Sequence, residues 1–146
     1  MLRVMLAAAA AILLSACSEP FIVFSGGELE GQTADPPSDW SVLDSVDTVQ
    51  LETQPDDPYS VNIWVAGIGA DVYVATGDDG TNWTEHIEVN RDVRMRVIDQ
   101  VFALEAVRVR DSDEMQRVSA AYVNKYGLDN DDNWVVTGQV FRLDRR

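Results

Sequence analysis

Apolar side chains fall at every second position in three stretches of this chain. Val61, Ile63 and Val65 interleave with Asn62 and Trp64; Val72 and Val74 flank Tyr73; Val93, Met95 and Val97 interleave with Arg94 and Arg96. A period of two fits a strand with one face buried and excludes an amphipathic helix. Two short reversals link such stretches, Gly67-Ile68-Gly69-Ala70-Asp71 and Ile98-Asp99-Gln100, so neighbouring strands run antiparallel. Val101 to Arg110 is a further extended run, with Phe102 and Leu104 in one phase and Val107 and Val109 in the other. A bulge near Ala106 would restore the inward face. Thr48 to Glu52 and Val135 to Leu143, the latter interrupted by Gly138, complete six candidate strands.

Helical periodicity is clearest from Ser112 to Tyr126. Asp111 is placed to cap this helix, and Glu114 stands where a capping pair needs its second member. Met115, Val118, Tyr122, Val123 and Tyr126 form one apolar stripe. Lys125 sits in the last turn, favoured there by the helix dipole, and Gly127 supplies a left-handed stop. A shorter helix is expected near Asn82, with Glu85 in its first turn. Six strands with two or three helices in this order describe a small antiparallel barrel with helices against its side, an α+β or mostly-β domain.

The amino terminus has a different composition. Arg3 is the only charge before an apolar run from Val4 to Leu14, and Ser15-Ala16 narrows to small residues ahead of Cys17. The run is too short to span a bilayer, and its layout is that of an export signal. Leu14-Ser15-Ala16-Cys17 resembles a bacterial lipobox, which implies cleavage after Ala16, acylation of Cys17 and membrane attachment through fatty chains. An ordinary signal peptide, or a buried apolar helix with an incidental cysteine, are the plainer alternatives. Ser18 follows Cys17 where an aspartate would resemble an inner-membrane retention signal. The expected address is therefore the cell envelope, with the periplasmic face of the outer membrane favoured. Cys17 is the single cysteine, so no disulfide within the chain, no thiol catalysis in the mature chain and no thiolate metal site is available. Three segments follow: a signal peptide at 1–16, an acylated cysteine and flexible tether at 17–39, and a domain at 40–146. The tether reading rests on Gly26-Gly27, Gly31 and Asp35-Pro36-Pro37-Ser38, within which Phe21 to Phe24 could dock as a short strand.

With 11 basic against 25 acidic residues the net charge is −14. Such a surface repels nucleic acid and anionic headgroups, so neither is an expected partner. Membrane contact is expected through the lipid anchor alone.

The stretches "NIWVAGIGADVYVATGDDGTNW" (62–83), "VRMRVIDQVFALEAVRV" (93–109) and "AAYVNKYG" (120–127) resemble the flavin-binding split-barrel superfamily. The likeness runs from about Trp40 to Leu143. It is nearest to small uncharacterised members similar to deazaflavin-dependent nitroreductases, and more distantly to pyridoxamine phosphate oxidases. The resemblance implies a six-stranded antiparallel split β-barrel, a groove for FMN or a deazaflavin, and a homodimer. Trp64, Tyr73 and Trp83 are candidate groove aromatics, and Arg94 and Arg96 candidate anion contacts. Aromatics in a small barrel are more often core, and the plainer reading of the arginines is solvent-facing charge on an alternating strand.

One departure bears on the cofactor. Relatives that bind it carry an Arg/Lys-rich turn between the first two barrel strands, which grips the phosphate. Here that turn is Thr53-Gln54-Pro55-Asp56-Asp57-Pro58. Asp56 and Asp57 would repel a phosphate where bases would attract it, an exchange worth several kcal/mol at separations of about 4 Å.

Other chemistry finds little support. His86 is the only histidine and has no nucleophile motif beside it. Glu85 and Glu88 lie three apart, as first-turn acids also do for dipole reasons. Asp129 to Asn133 alternates oxygens as a calcium loop does, but Trp134 replaces the sixth-position glycine and Val140 the twelfth-position glutamate. No catalytic residue and no metal ligand is assigned. The expected function is binding or scaffolding without catalysis, the alternative a flavin- or deazaflavin-dependent oxidoreductase.

Overall fold

A computed structural model describes residues 26–129 and 134–146. The signal peptide, Cys17, Phe21 to Phe24 and most of the Asp129–Asn133 loop lie outside the described residues.

Seven strands form one sheet: β1 (Gln32–Thr33), β2 (Thr48–Thr53), β3 (Tyr59–Ile68), β4 (Asp71–Thr76), β5 (Asp92–Val97), β6 (Gln100–Arg108) and β7 (Gln139–Arg145). The order β6-β5-β2-β3-β4-β7 closes on itself through a β6–β7 pairing, making a six-stranded antiparallel barrel. Strand β3 is shared between two partners: Tyr59 to Trp64 pair with β2, and Val65 to Ile68 pair with β4. That change of partner is where the barrel splits. Helix α1 (Asn82–Val89) joins β4 to β5, α2 (Ser112–Tyr126) follows β6, and a short α3 (Trp134–Thr137) precedes β7.

Alternation fills both faces. Val49, Leu51, Val61, Val65, Val72, Val74, Val93, Met95 and Val97 point into the barrel, joined by Trp40, Leu43, Trp83 and Ile87 from outside the strands. The opposite face of β3 and β4 offers Trp64, Ala66, Tyr73 and Ala75 to Val118, Tyr122 and Tyr126 of α2. Gly67 permits a close approach of Trp40 to β3, since a Cβ would meet the Trp40 carbonyl at 2.6 Å.

Two local expectations change. No bulge occurs at Ala106, because both the β5–β6 and β6–β7 registers run without a break. The phase shift is a change of what covers the strand: Phe102, Leu104 and Ala106 face the interior, while Val109 faces outward into the α2 cluster. Val135 belongs to α3 and not to the last strand, which begins only after Gly138. Gly138 lies so near the Thr76 carbonyl that a Cβ would stand 2.3 Å away.

Residues 26–39, expected as tether, lie against the barrel. Gly26 bridges Ser60, Leu29 is buried, and β1 pairs parallel with Gln100 and Val101. Strand β7 pairs with β6 only from Leu104 onward, so β1 covers the length of that edge left open.

Candidate functional site

The residues singled out from the sequence fall into three separate places. Trp83 is 4 % exposed inside the barrel, edge-on to Phe141 at 5.6 Å. Trp64 and Tyr73 lie on the outer face beneath α2. Arg94 and Arg96 project from β5 on the side crossed by residues 26–39. The five do not line one groove.

Each of the α2-side aromatics has a structural partner. Trp64 stacks on Tyr126 with centroids 4.2 Å apart and planes 6° from parallel. The Tyr73 hydroxyl donates to Glu114 Oε1 at 2.9 Å, and Arg142 donates to the same oxygen at 2.7 Å. Burial, reinforced by the Glu114 hydrogen bond, pushes the Tyr73 phenol far above its ordinary range. Glu114 therefore spends its carboxylate across α2 and the barrel. Only its backbone N–H takes part in the cap, donating to Asp111 Oδ1 at 2.8 Å.

The motif Ala121-Tyr122…Lys125-Tyr126-Gly127 also resolves into backbone recognition. The last β2–β3 pair is Thr48 with Trp64, so Asp47 and Val65 would come next. Tyr126 Oη occupies that step, accepting from Val65 N at 2.9 Å and donating to the Asp47 carbonyl at 2.7 Å. Lys125 Nζ donates to the carbonyls of Leu43 and Val65 at 2.7 and 2.8 Å, and burial lowers its pKa. Tyr122 Oη donates to Trp64 and Tyr73 carbonyls. These side chains satisfy backbone groups that the split would otherwise leave without partners.

The turn between β2 and β3, where the resemblance places a phosphate grip in relatives, carries acids. Asp56 and Asp57 are exposed at its tip, and Asp57 N donates to the Gln54 carbonyl at 2.9 Å. Beside it lies a cavity of about 180 Å³ whose charged lining is Glu28, Glu52, Asp92, Arg94 and Arg146. Glu52 is only 4 % exposed. It takes Arg94 Nε and Nη2 on its two oxygens, both at 2.7 Å, and Leu29 N at 2.6 Å. Hydrogen bonding to Glu52 raises the Arg94 pKa. Arg146 pairs with Asp92 at 2.7 Å. Both cations are thus bound to carboxylates of the same chain. Arg96 is occupied too, donating to the Ile98 carbonyl and to Gln50 at 2.8 and 3.2 Å. The cavity is below the size of ordinary small-ligand sites. These residues do not fit a flavin phosphate.

His86 bonds Thr53 Oγ1 through Nδ1 at 3.0 Å and meets the Tyr59 ring edge-on. With Thr53 fully buried, this contact ties α1 to β2. Glu85 and Glu88 are exposed on α1.

Sequence reading passed over one basic groove. Arg108 and Arg110 border a cleft of about 430 Å³ with Ser112, Met115 and Val136. Arg108 donates to Gln139 Oε1 at 2.7 Å and lies over the Phe141 ring. Burial, with the charge of Arg110 beside it, lowers its pKa. Among the described residues neither guanidinium has a carboxylate within ion-pair distance. The pair Arg108/Arg110 was visible as the end of a strand pattern, but nothing local marks a groove.

No family model matches this chain, and no curated protein does. Solved structures share its fold. A conserved hypothetical protein from Mycobacterium tuberculosis superposes with TM-score 0.58 at 18% identity, covering 71% of this chain and 76% of that one. A candidate 5-nitroimidazole antibiotic resistance protein from Bacteroides thetaiotaomicron gives 0.56 at 14%, covering 70% and 75%. A candidate pyridoxamine 5'-phosphate oxidase from Listeria innocua gives 0.54 at 17%, covering 70% and 86%. The chain has the split-barrel fold.

Proposed function

We propose that this chain is an envelope lipoprotein whose split-barrel domain binds or scaffolds without chemistry of its own. One observation carries the non-catalytic reading: at the turn where a phosphate grip would lie, Arg94 is held by buried Glu52, and the tip presents Asp56 and Asp57. A phosphate would have to break a charge-assisted bidentate pair and approach two carboxylates. The address rests on Arg3, the apolar run and the Leu14–Cys17 stretch. From Cys17 to Gly26 an extended chain reaches about 30 Å, so the barrel would stand close to the membrane that its lipid enters.

The visible absorption spectrum of the purified chain, followed by titration with FMN, tests the first part. A colourless protein that leaves FMN fluorescence anisotropy unchanged is expected; a bound yellow chromophore would refute the reading. Palmitate labelling of cells tests the second. Label is expected on the natural chain and lost in Cys17→Ser.

A second reading, a flavin- or deazaflavin-dependent oxidoreductase acting as a homodimer, is favoured by the Arg108/Arg110 groove and by the fold shared with a candidate pyridoxamine 5'-phosphate oxidase. It requires that FMN bind and that Arg110→Ala weaken it.

A further inference from the structure

A cleft of about 500 Å³ opens between the segment that leads into the barrel and the β5–β6 turn. Its base is apolar, formed by the buried side chains of Val97 and Phe102. Val42 stands on one side at 45 % exposure and Ile98 on the other at 68 %. These are two of the four strongly exposed large apolar residues among those described. Ile98 has φ of +55°, which a β-branched residue rarely adopts, and this conformation holds its side chain at the tip of the turn.

Three carboxylates border the same cleft: Asp35, Asp39 and Asp99. Asp39 Oδ1 accepts from Ser41 N at 2.8 Å, a bond that favours its ionised form. Asp99 lies 3.5 Å from Arg96, whose other donors serve Gln50 and the Ile98 carbonyl. Arg145, nearby, donates to the carbonyls of Pro36 and Pro37. The lining is therefore apolar below and negative at the rim.

We propose that this cleft binds a small organic cation, an ammonium joined to an apolar body. The apolar portion covers Val97 and Phe102 and is flanked by Val42 and Ile98, while the ammonium meets the Asp35, Asp39 and Asp99 carboxylates. The volume lies within the range of small-ligand sites. A second copy of the chain is disfavoured as occupant, because two surfaces of a protein with net charge −14 repel each other. The proposal adds a site that is independent of whether the chain also holds a flavin.

Calorimetric titration of the full chain, kept in a neutral detergent, tests it with three probes of matched body: 4-phenylbutylammonium, 4-phenylbutanol and 4-phenylbutyrate. The ammonium is expected to bind about tenfold tighter than the alcohol, and the carboxylate not to bind measurably. Joint substitution Asp35→Asn, Asp39→Asn and Asp99→Asn is expected to bring the ammonium down to the alcohol's affinity and leave the alcohol unchanged. An unaltered near-ultraviolet dichroism spectrum confirms that this variant is folded. Ile98→Gly, compatible with the positive φ, should weaken ammonium and alcohol alike. Equal affinity for all three probes, absence of binding, or an unaffected triple variant overturns the proposal. So does binding of an arginine-flanked leucine peptide in place of the amine, or a halved sedimenting mass in Ile98→Asp, since these assign the cleft to a polypeptide or a second copy.

Discussion

At the scale of single residues, charge is governed by pairing and not by exposure. Arg94 stands at a position that alternation assigns to solvent, yet its guanidinium closes over Glu52 beneath the 26–39 segment. Glu52 is nearly inaccessible, so removing its partner leaves a buried carboxylate with one backbone N–H. Arg94→Ala is expected to cost about 3 kcal/mol in urea unfolding. Adding Glu52→Gln should recover part of that loss, because the uncompensated charge disappears with it. A double variant as unstable as Arg94→Ala alone would show that packing of the arginine stem, and not the charge, carries the effect.

At the scale of elements, local rules wrote α2 into the chain and long-range geometry decided its use. Asp111 caps it, Gly127 ends it at φ of +64°, and Lys125 lies in its last turn, all as the sequence anticipates. Its side chains then do more than bury an apolar stripe: Tyr126 takes the place of the next β2–β3 pair, and Lys125 holds the carbonyl beside it. Tyr126→Phe preserves the stacking on Trp64 but leaves Val65 N without its acceptor. A loss of about 1–2 kcal/mol is expected, with hydrogen exchange accelerated at Val65 and little changed in β5 and β6. Uniform acceleration across the barrel would argue against a local latch.

At the scale of the whole molecule, phenols stitch α2 to the outer face of the barrel. Burial raises the pKa of Tyr73, Tyr122 and Tyr126 above the ordinary value near 10. A phenol whose native pKa lies above its unfolded pKa contributes stability that is complete below about pH 10 and is lost as pH rises further. Alkaline titration should therefore show phenolate absorbance appearing together with loss of near-ultraviolet dichroism, in one cooperative step. Phenolates that form well before unfolding would show these hydroxyls to be freely accessible.

What the chain's order of residues determined by itself is whatever depends on near neighbours: the six barrel strands in outline, both short turns, the two longer helices, the caps of α2, and the barrel class that these elements together require. A period of two or 3.6, a cap at fixed spacing and a left-handed glycine are read within a few residues. Only tertiary structure decided which residues meet across distance. The closure of β6 on β7, the seating of 26–39 on the open edge, the pairing of Arg94 with Glu52 and the dispersal of Trp64, Tyr73 and Trp83 all join positions far apart in sequence. The reason is physical: alternation says that a side chain leaves the barrel interior, but what covers it outside depends on the path of the rest of the chain. Arg94 and Val109 both point outward, one to a buried carboxylate and one to a helix.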